Sequence, residues 1–191
     1  MLENAESMGL PEPDPEEMFQ GIEDIRLFVW QDRLKFAATT VNFSGCARSR
    51  IVIGDYDTTS LSLKNVKVIP SPTDAFKEKN WIPFVSQTEP EKLYFVYTWS
   101  PFQLATLNEK SELCIERIHD VKFPYLEEIR GSSNVVFHRD MYVALVHLSV
   151  EDSLPKQYYH MLVWLDKETY RPVKHSSLFR FDQFGAEFCL S

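Results

Sequence analysis

The chain has 191 residues, of which 44% are apolar and 25% charged, an ordinary globular balance with enough length to bury a core. Its formal charge of −8 is local, because residues 1–24 hold eight acids and no Lys or Arg while the remaining acids match the 20 bases. A body of about zero net charge excludes a phosphate-gripping nucleic-acid surface and a polybasic membrane anchor.

Residues 1–20 combine Glu and Asp with Pro11, Pro13 and Pro15, an acidic lead expected to stay outside the packed domain of residues 21–191. Strand signals begin with Ile25–Trp30 and Leu34–Thr40, which flank Gln31-Asp32-Arg33 as a hairpin turn. Arg50–Gly54 and Leu61–Ile69 follow, the latter with Lys64 and Lys67 on a wet face. A second set reads Ile82–Ser86, Leu93–Trp99, Phe102–Leu107 and Leu113–His119. A third reads Asn134–Phe137, a turn at His138-Arg139-Asp140, Met141–Leu148, Tyr158–Leu165, the turn Asp166-Lys167-Glu168-Thr169, and Val173–Phe181. Helical periodicity is weak, with a single short turn expected near Thr73–Lys77.

Four strands per set is the pattern of one propeller blade, and polar residues open each set. Asp24, Asn80, Asn134 and Glu187 stand roughly 53–56 residues apart, so the expected fold is all-β, with blades of four antiparallel strands. Glu187–Leu190 reads as the first strand of a further set, so about three blades of an incomplete propeller are expected, with open edges suited to self-association.

The stretch Gly21-Ile22-Glu23-Asp24-Ile25-Arg26-Leu27-Phe28 resembles the Glu-Asp-Pro-Arg signature of the five-bladed propeller glycoside phosphorylases and hydrolases that act on β-mannosides. Ile25 stands where that family usually has proline. Glu78–Phe84, Arg130-Gly131-Ser132-Ser133, Tyr142–His147 and Gly185–Cys189 are similar to later signatures of the same glycosidase-like superfamily, in the same order. The resemblance implies cleavage of a mannose-type glycoside by phosphorolysis or hydrolysis, with a carbohydrate partner and no cofactor beyond inorganic phosphate as co-substrate. The alternative is a propeller fragment that binds glycan or protein without turnover, since fold alone does not choose.

Glycosidic cleavage needs an acid to protonate the leaving oxygen, and the resemblance assigns that role to Asp24. A phosphorylase needs no second carboxylate, because phosphate attacks; it needs cations. Lys79, Arg130, His147, Arg48 and Arg50 are the candidates for that cradle, with Arg26, Asn80 and Tyr159 as further binding residues. A hydrolase would use Glu187 as base. Each has a structural reading too: Asp24 as a salt-bridge or turn-capping carboxylate, Lys79 and Arg130 as solvated strand ends, His147 as a hydrogen-bonded core histidine, Trp81 and Trp99 as packing aromatics.

His119, His138 and His175 lack partners at metal-ligand spacing, and neither a Gly-rich phosphate loop nor a nucleophile elbow occurs. Cys46, Cys114 and Cys189 show no CxxC spacing, which suggests reduced structural thiols and a cytoplasmic setting. The longest apolar run, Met141–Val150, is too short for a membrane-spanning helix, and no apolar leader follows Met1.

Overall fold

The computed structural model describes residues 21–41, 48–150, 153 and 156–181. Among these residues the regular structure is all strand, in three antiparallel sheets. The first is a meander of β1 (Gly21–Trp30), β2 (Arg33–Val41), β3 (Arg50–Asp57) and β4 (Ser62–Ile69). Gln31 and Asp32 both have positive φ, 51° and 56°, which makes the β1–β2 turn a two-residue type I′ loop whose twist matches the flanking strands. Arg33, expected in the turn, is therefore already paired with Trp30.

The second sheet is a meander of β5 (Ile82–Val85), β6 (Leu93–Trp99), β7 (Phe102–Leu107) and β8 (Leu113–His119). The third is built on β11 (Met141–Val150) and β12 (Gln157–Asp166), flanked by β10 (Val136–His138) and β13 (Pro172–His175). Arg139 and Asp140, with φ of 46° and 62°, form a second two-residue turn joining β10 to β11.

Three expected elements differ. The strand predicted over Asn134–Phe137 is shifted to β10, and an unpredicted short strand, β9 (Arg130–Gly131), also pairs with β11; Ser132–Val135 leave the ladder between them. There, the N–H groups of Ser132 and Ser133 converge on the Leu145 carbonyl at 3.2 Å each, and Ser133 Oγ accepts the Leu145 N–H at 3.1 Å. A serine hydroxyl thus replaces a ladder acceptor. The strand predicted over Val173–Phe181 ends at His175: the Ser176 N–H still donates to the Leu162 carbonyl, but Ser176 Oγ takes the Leu162 N–H, and the next bridge is at Phe179 opposite His160. The turn near Thr73–Lys77 is not helical. Ser71 Oγ accepts the N–H groups of Thr73 and Ala75 and winds the segment instead.

The described residues group into two compact units, one within residues 21–81 and 107–114, the other within residues 82–106 and 115–181. In the first, Phe36, Ala38 and Val52 form a small buried cluster under Ile22, Leu63, Val66 and Val68. In the second, alternate residues of β11 and β12 (Tyr142, Ala144, Val146; Met161, Val163, Leu165) pack on Ile82, Phe84, Tyr94, Val96 and Leu104 of the neighbouring sheet. This period-2 burial is what makes each strand half wet, half dry. Cys114 is an exposed free thiol on β8, not a buried structural one. Cys46, Cys189 and the predicted strand Glu187–Leu190 lie outside the described residues.

Candidate functional site

In the first unit the site residues gather at the mouth of β1. Glu23 pairs with Thr39 and Arg26 with Ala37, so β1 spends one residue more than β2 between those pairs. The extra residue makes a β-bulge at Asp24-Ile25, and Asp24 sits there with φ 56°, a left-handed conformation that aspartate tolerates better than most residues. The bulge is held from beneath. Arg26 is 2% exposed, and its Nη1 donates to the Asp24 carbonyl at 3.0 Å. Burial pulls the Arg26 guanidinium below its ordinary range and the adjacent Asp24 carboxylate opposes that shift; guanidinium remains charged regardless. The Asp24 side chain is half-buried. A bulge re-aims a side chain that a regular ladder would have set by alternation.

Lys79 Nζ donates to Glu23 Oε1 at 2.9 Å, which ties the segment before β5 to the β1 mouth. Asn80 is also left-handed, with φ 61°. Beside them Glu78, 4% exposed, accepts from Trp81 Nε1 at 3.1 Å and from Ser71 Oγ. Trp81 is buried and serves packing. Arg48 is paired with Asp74 at 2.5 Å, and the buried Arg50 donates to the Ser49 and Ala75 carbonyls at 2.8 and 2.9 Å. Both arginines anchor the 71–77 segment.

In the second unit Arg130 on β9 stands opposite His147 on β11, which in turn stands opposite His160 on β12. Directly paired residues of antiparallel strands share a face, so these three basic side chains form one row. Ser132 Oγ, fully buried, lies 2.6 Å from His147 Nδ1. His160 is also buried, against Phe179 and Phe181. Arg130 is exposed and donates to the Glu127 and Ile129 carbonyls at 2.9 and 2.8 Å; carbonyls leave its positive charge uncompensated. Tyr159 pairs with Leu148 and points to the opposite face of β12, under Arg180. It is not in the Arg130–His147 row. Glu187 lies outside the described residues.

The sequence reading passed over Glu23, Glu78 and Ser132. Glu23 and Glu78 adjoin residues that it chose, and period 2 alone does not tell which neighbour faces a site once a bulge intervenes.

Three comparisons bear on what this geometry belongs to. No family model matches the chain. Among solved structures it is similar to β-1,2-mannobiose phosphorylase from Listeria innocua, at 16% identity with a TM-score of 0.53, covering 82% of this chain and 44% of that one. The likeness is one of fold: the three antiparallel sheets match part of a five-bladed propeller. A glycoside hydrolase of family 43, engineered to display both endo-xylanase and exo-arabinofuranosidase activity, is similar at 11% identity and a TM-score of 0.53, over 87% of this chain and 30% of that one. By sequence, the chain is 29% identical over 126 residues to β-mannosyltransferase 7 of Candida albicans, covering 62% of this chain and 19% of the transferase. The chain spans less than half the length of each of these three relatives.

Proposed function

We propose that this chain belongs to a protein that forms or breaks a β-mannosidic bond, with Asp24 as the group that exchanges the proton of the glycosidic oxygen. The observation that carries the reading is the bulge: a half-buried carboxylate lifted out of the ladder in a left-handed conformation, its backbone gripped by a buried arginine. The names of the two mannose-acting relatives point to opposite directions of the same chemistry. In phosphorolysis a phosphate oxygen attacks the anomeric carbon, the glycosidic C–O bond breaks, and the departing oxygen takes the proton of Asp24. In synthesis the steps reverse, and ionised Asp24 accepts the proton of the attacking acceptor hydroxyl.

Within the second unit, Arg130 and His147 are the groups best suited to an anion, since among the described residues Arg130 meets only carbonyls and Ser132 orients the His147 ring. Lys79, Arg48 and Arg50 suit it less, because each is engaged with a carboxylate or carbonyls. The test is turnover of β-1,2-mannobiose with and without phosphate, and mannosyl transfer from mannose 1-phosphate, in the wild type and Asp24→Asn. Loss of about 10²–10⁴-fold in both directions is expected for a proton-transfer group. Equal rates in Asp24→Asn would remove Asp24 from the reaction, and saccharide binding without any turnover would favour a binding role.

A further inference from the structure

The second unit carries a cleft of about 540 Å³ between the segment after β8 and the turn that leads into β13. Its floor is Val121 and Pro172, both buried. Phe123, half-buried with its ring tilted on His175 at a centroid distance of 4.9 Å, makes one wall, and exposed Val173 adds apolar surface. Asp120, Lys122 and Arg171 ring the opening.

These three charges are uncommitted. Among the described residues neither Asp120 nor Lys122 has a side-chain hydrogen bond or ion pair, and Arg171 reaches only the Asp120 carbonyl at 3.4 Å. Some other charged side chains of the unit are engaged, as in Lys92–Glu89–Arg117 and Lys167–Asp140. A group already satisfied by protein must break a bond to serve a ligand; these need not.

The mix of signs selects the ligand. A free phosphate would gain from Lys122 and Arg171 but meet the Asp120 carboxylate, and an apolar ligand would strip water from three charges. A neutral polyhydroxylated ring suits all of them: its hydroxyls donate to Asp120 and accept from Lys122 and Arg171, while its C–H face lies on Phe123 and Val173. The volume lies within the usual range for ligand sites, about 300–1,000 Å³.

We propose that this cleft is a saccharide-binding subsite, taking an oligosaccharide segment through Phe123, Asp120, Lys122 and Arg171. It shares no residue with the proton-exchanging site, and its expected ligand, a manno-oligosaccharide, rests on the β-mannoside reading above. The probe is β-1,2-linked mannotetraose, titrated into the full chain while backbone amide shifts and the dissociation constant are followed. The expected result is shifts at residues 120–123 and 171–173, with binding about tenfold weaker in Asp120→Ala/Lys122→Ala and in Phe123→Leu, which keeps apolar packing but removes the ring face. Asp24→Asn should keep these shifts while turnover is lost; shifts kept with turnover unchanged would fail the catalytic assignment and leave the subsite standing. Turnover of mannobiose with no mannotetraose shifts at the cleft, or with binding unchanged in both cleft variants, would overturn the subsite alone. Inorganic phosphate moving the same amides and displacing the saccharide would overturn the ligand class.

Discussion

Deleting one hydroxyl, in Tyr170→Phe, tests whether the second unit is held by a polar network as well as by its apolar core. Tyr170 is 1% exposed, and its hydroxyl lies 2.7 Å from Ser86 Oγ, 3.0 Å from Thr88 Oγ1 and 3.1 Å from Glu89 Oε2. Glu89 also accepts from Tyr94 at 2.7 Å and Lys92 at 2.7 Å. The bonds from Lys92 and then Tyr94 hold the Glu89 carboxyl down at about 2, while burial followed by the Glu89 charge pushes Tyr94 up to about 12. Phenylalanine keeps the ring, so the edge contacts with Phe84 and Tyr142 and the Arg117 guanidinium 4.5 Å above it survive. The loss is then the hydrogen bonding alone, about 1–2 kcal/mol at neutral pH, whereas Tyr170→Ala should cost about 3–5 kcal/mol.

The pH dependence gives an independent reading of the same network. A carboxyl whose folded pKa is depressed contributes stability that is complete above its ordinary value and disappears as pH falls through the folded one. For Glu89 that window runs from about pH 4.5 down to about 2. The full shift corresponds to about 3 kcal/mol, and because a quarter of the side chain meets solvent, screening reduces it to about 1–2 kcal/mol. Urea unfolding followed by tryptophan fluorescence at pH 7, 5 and 3 should show Glu89→Gln losing less stability on acidification than the wild type. Tyr170→Phe should fall between them, because Glu89 loses one donor. If Tyr170→Phe matches the wild type within about 0.3 kcal/mol and Glu89→Gln follows the wild-type pH curve, the network is decorative and the argument fails.

Other outcomes follow from single contacts. Gly54→Ala would bring a Cβ within 2.7 Å of both the Phe36 ring and the Lys64 carbonyl, so a loss of about 1–3 kcal/mol in the first unit is expected by chemical denaturation. Arg26→Met removes the donor to the Asp24 carbonyl, and a cost of about 1–3 kcal/mol together with altered amide shifts at residues 23–26 should accompany it. Ser132→Ala removes the hydroxyl 2.6 Å from His147 Nδ1; the ring-nitrogen chemical shifts of His147 by NMR should change, and return in Ser132→Thr. Unchanged ring shifts would mean that Ser132 does not orient the ring.

Much of the fold was legible because its grammar is local. Alternation at Met141–Val150 and turn chemistry at Gln31-Asp32 and Arg139-Asp140 need only near neighbours, and a strand period of two survives without knowledge of the partner strand. The breaks were not legible. Ser132–Val135 leaves the ladder because side-chain hydroxyls compete for the Leu145 backbone, and β13 stops because Ser176 reaches Leu162, each a choice made by a residue distant in sequence.

The same division holds for the site. Sequence by itself determined that carboxylates and cations stand at strand mouths, with Asp24 beside Arg26. Only the tertiary structure decided their employment: Arg50 to backbone carbonyls, Lys79 to Glu23, Arg130 and His147 to one row, Tyr159 to the other face. The reason is that a side chain's direction in a sheet depends on register. One extra residue at the Asp24 bulge, which no composition or period reports, turns every later side chain of that strand to the opposite face.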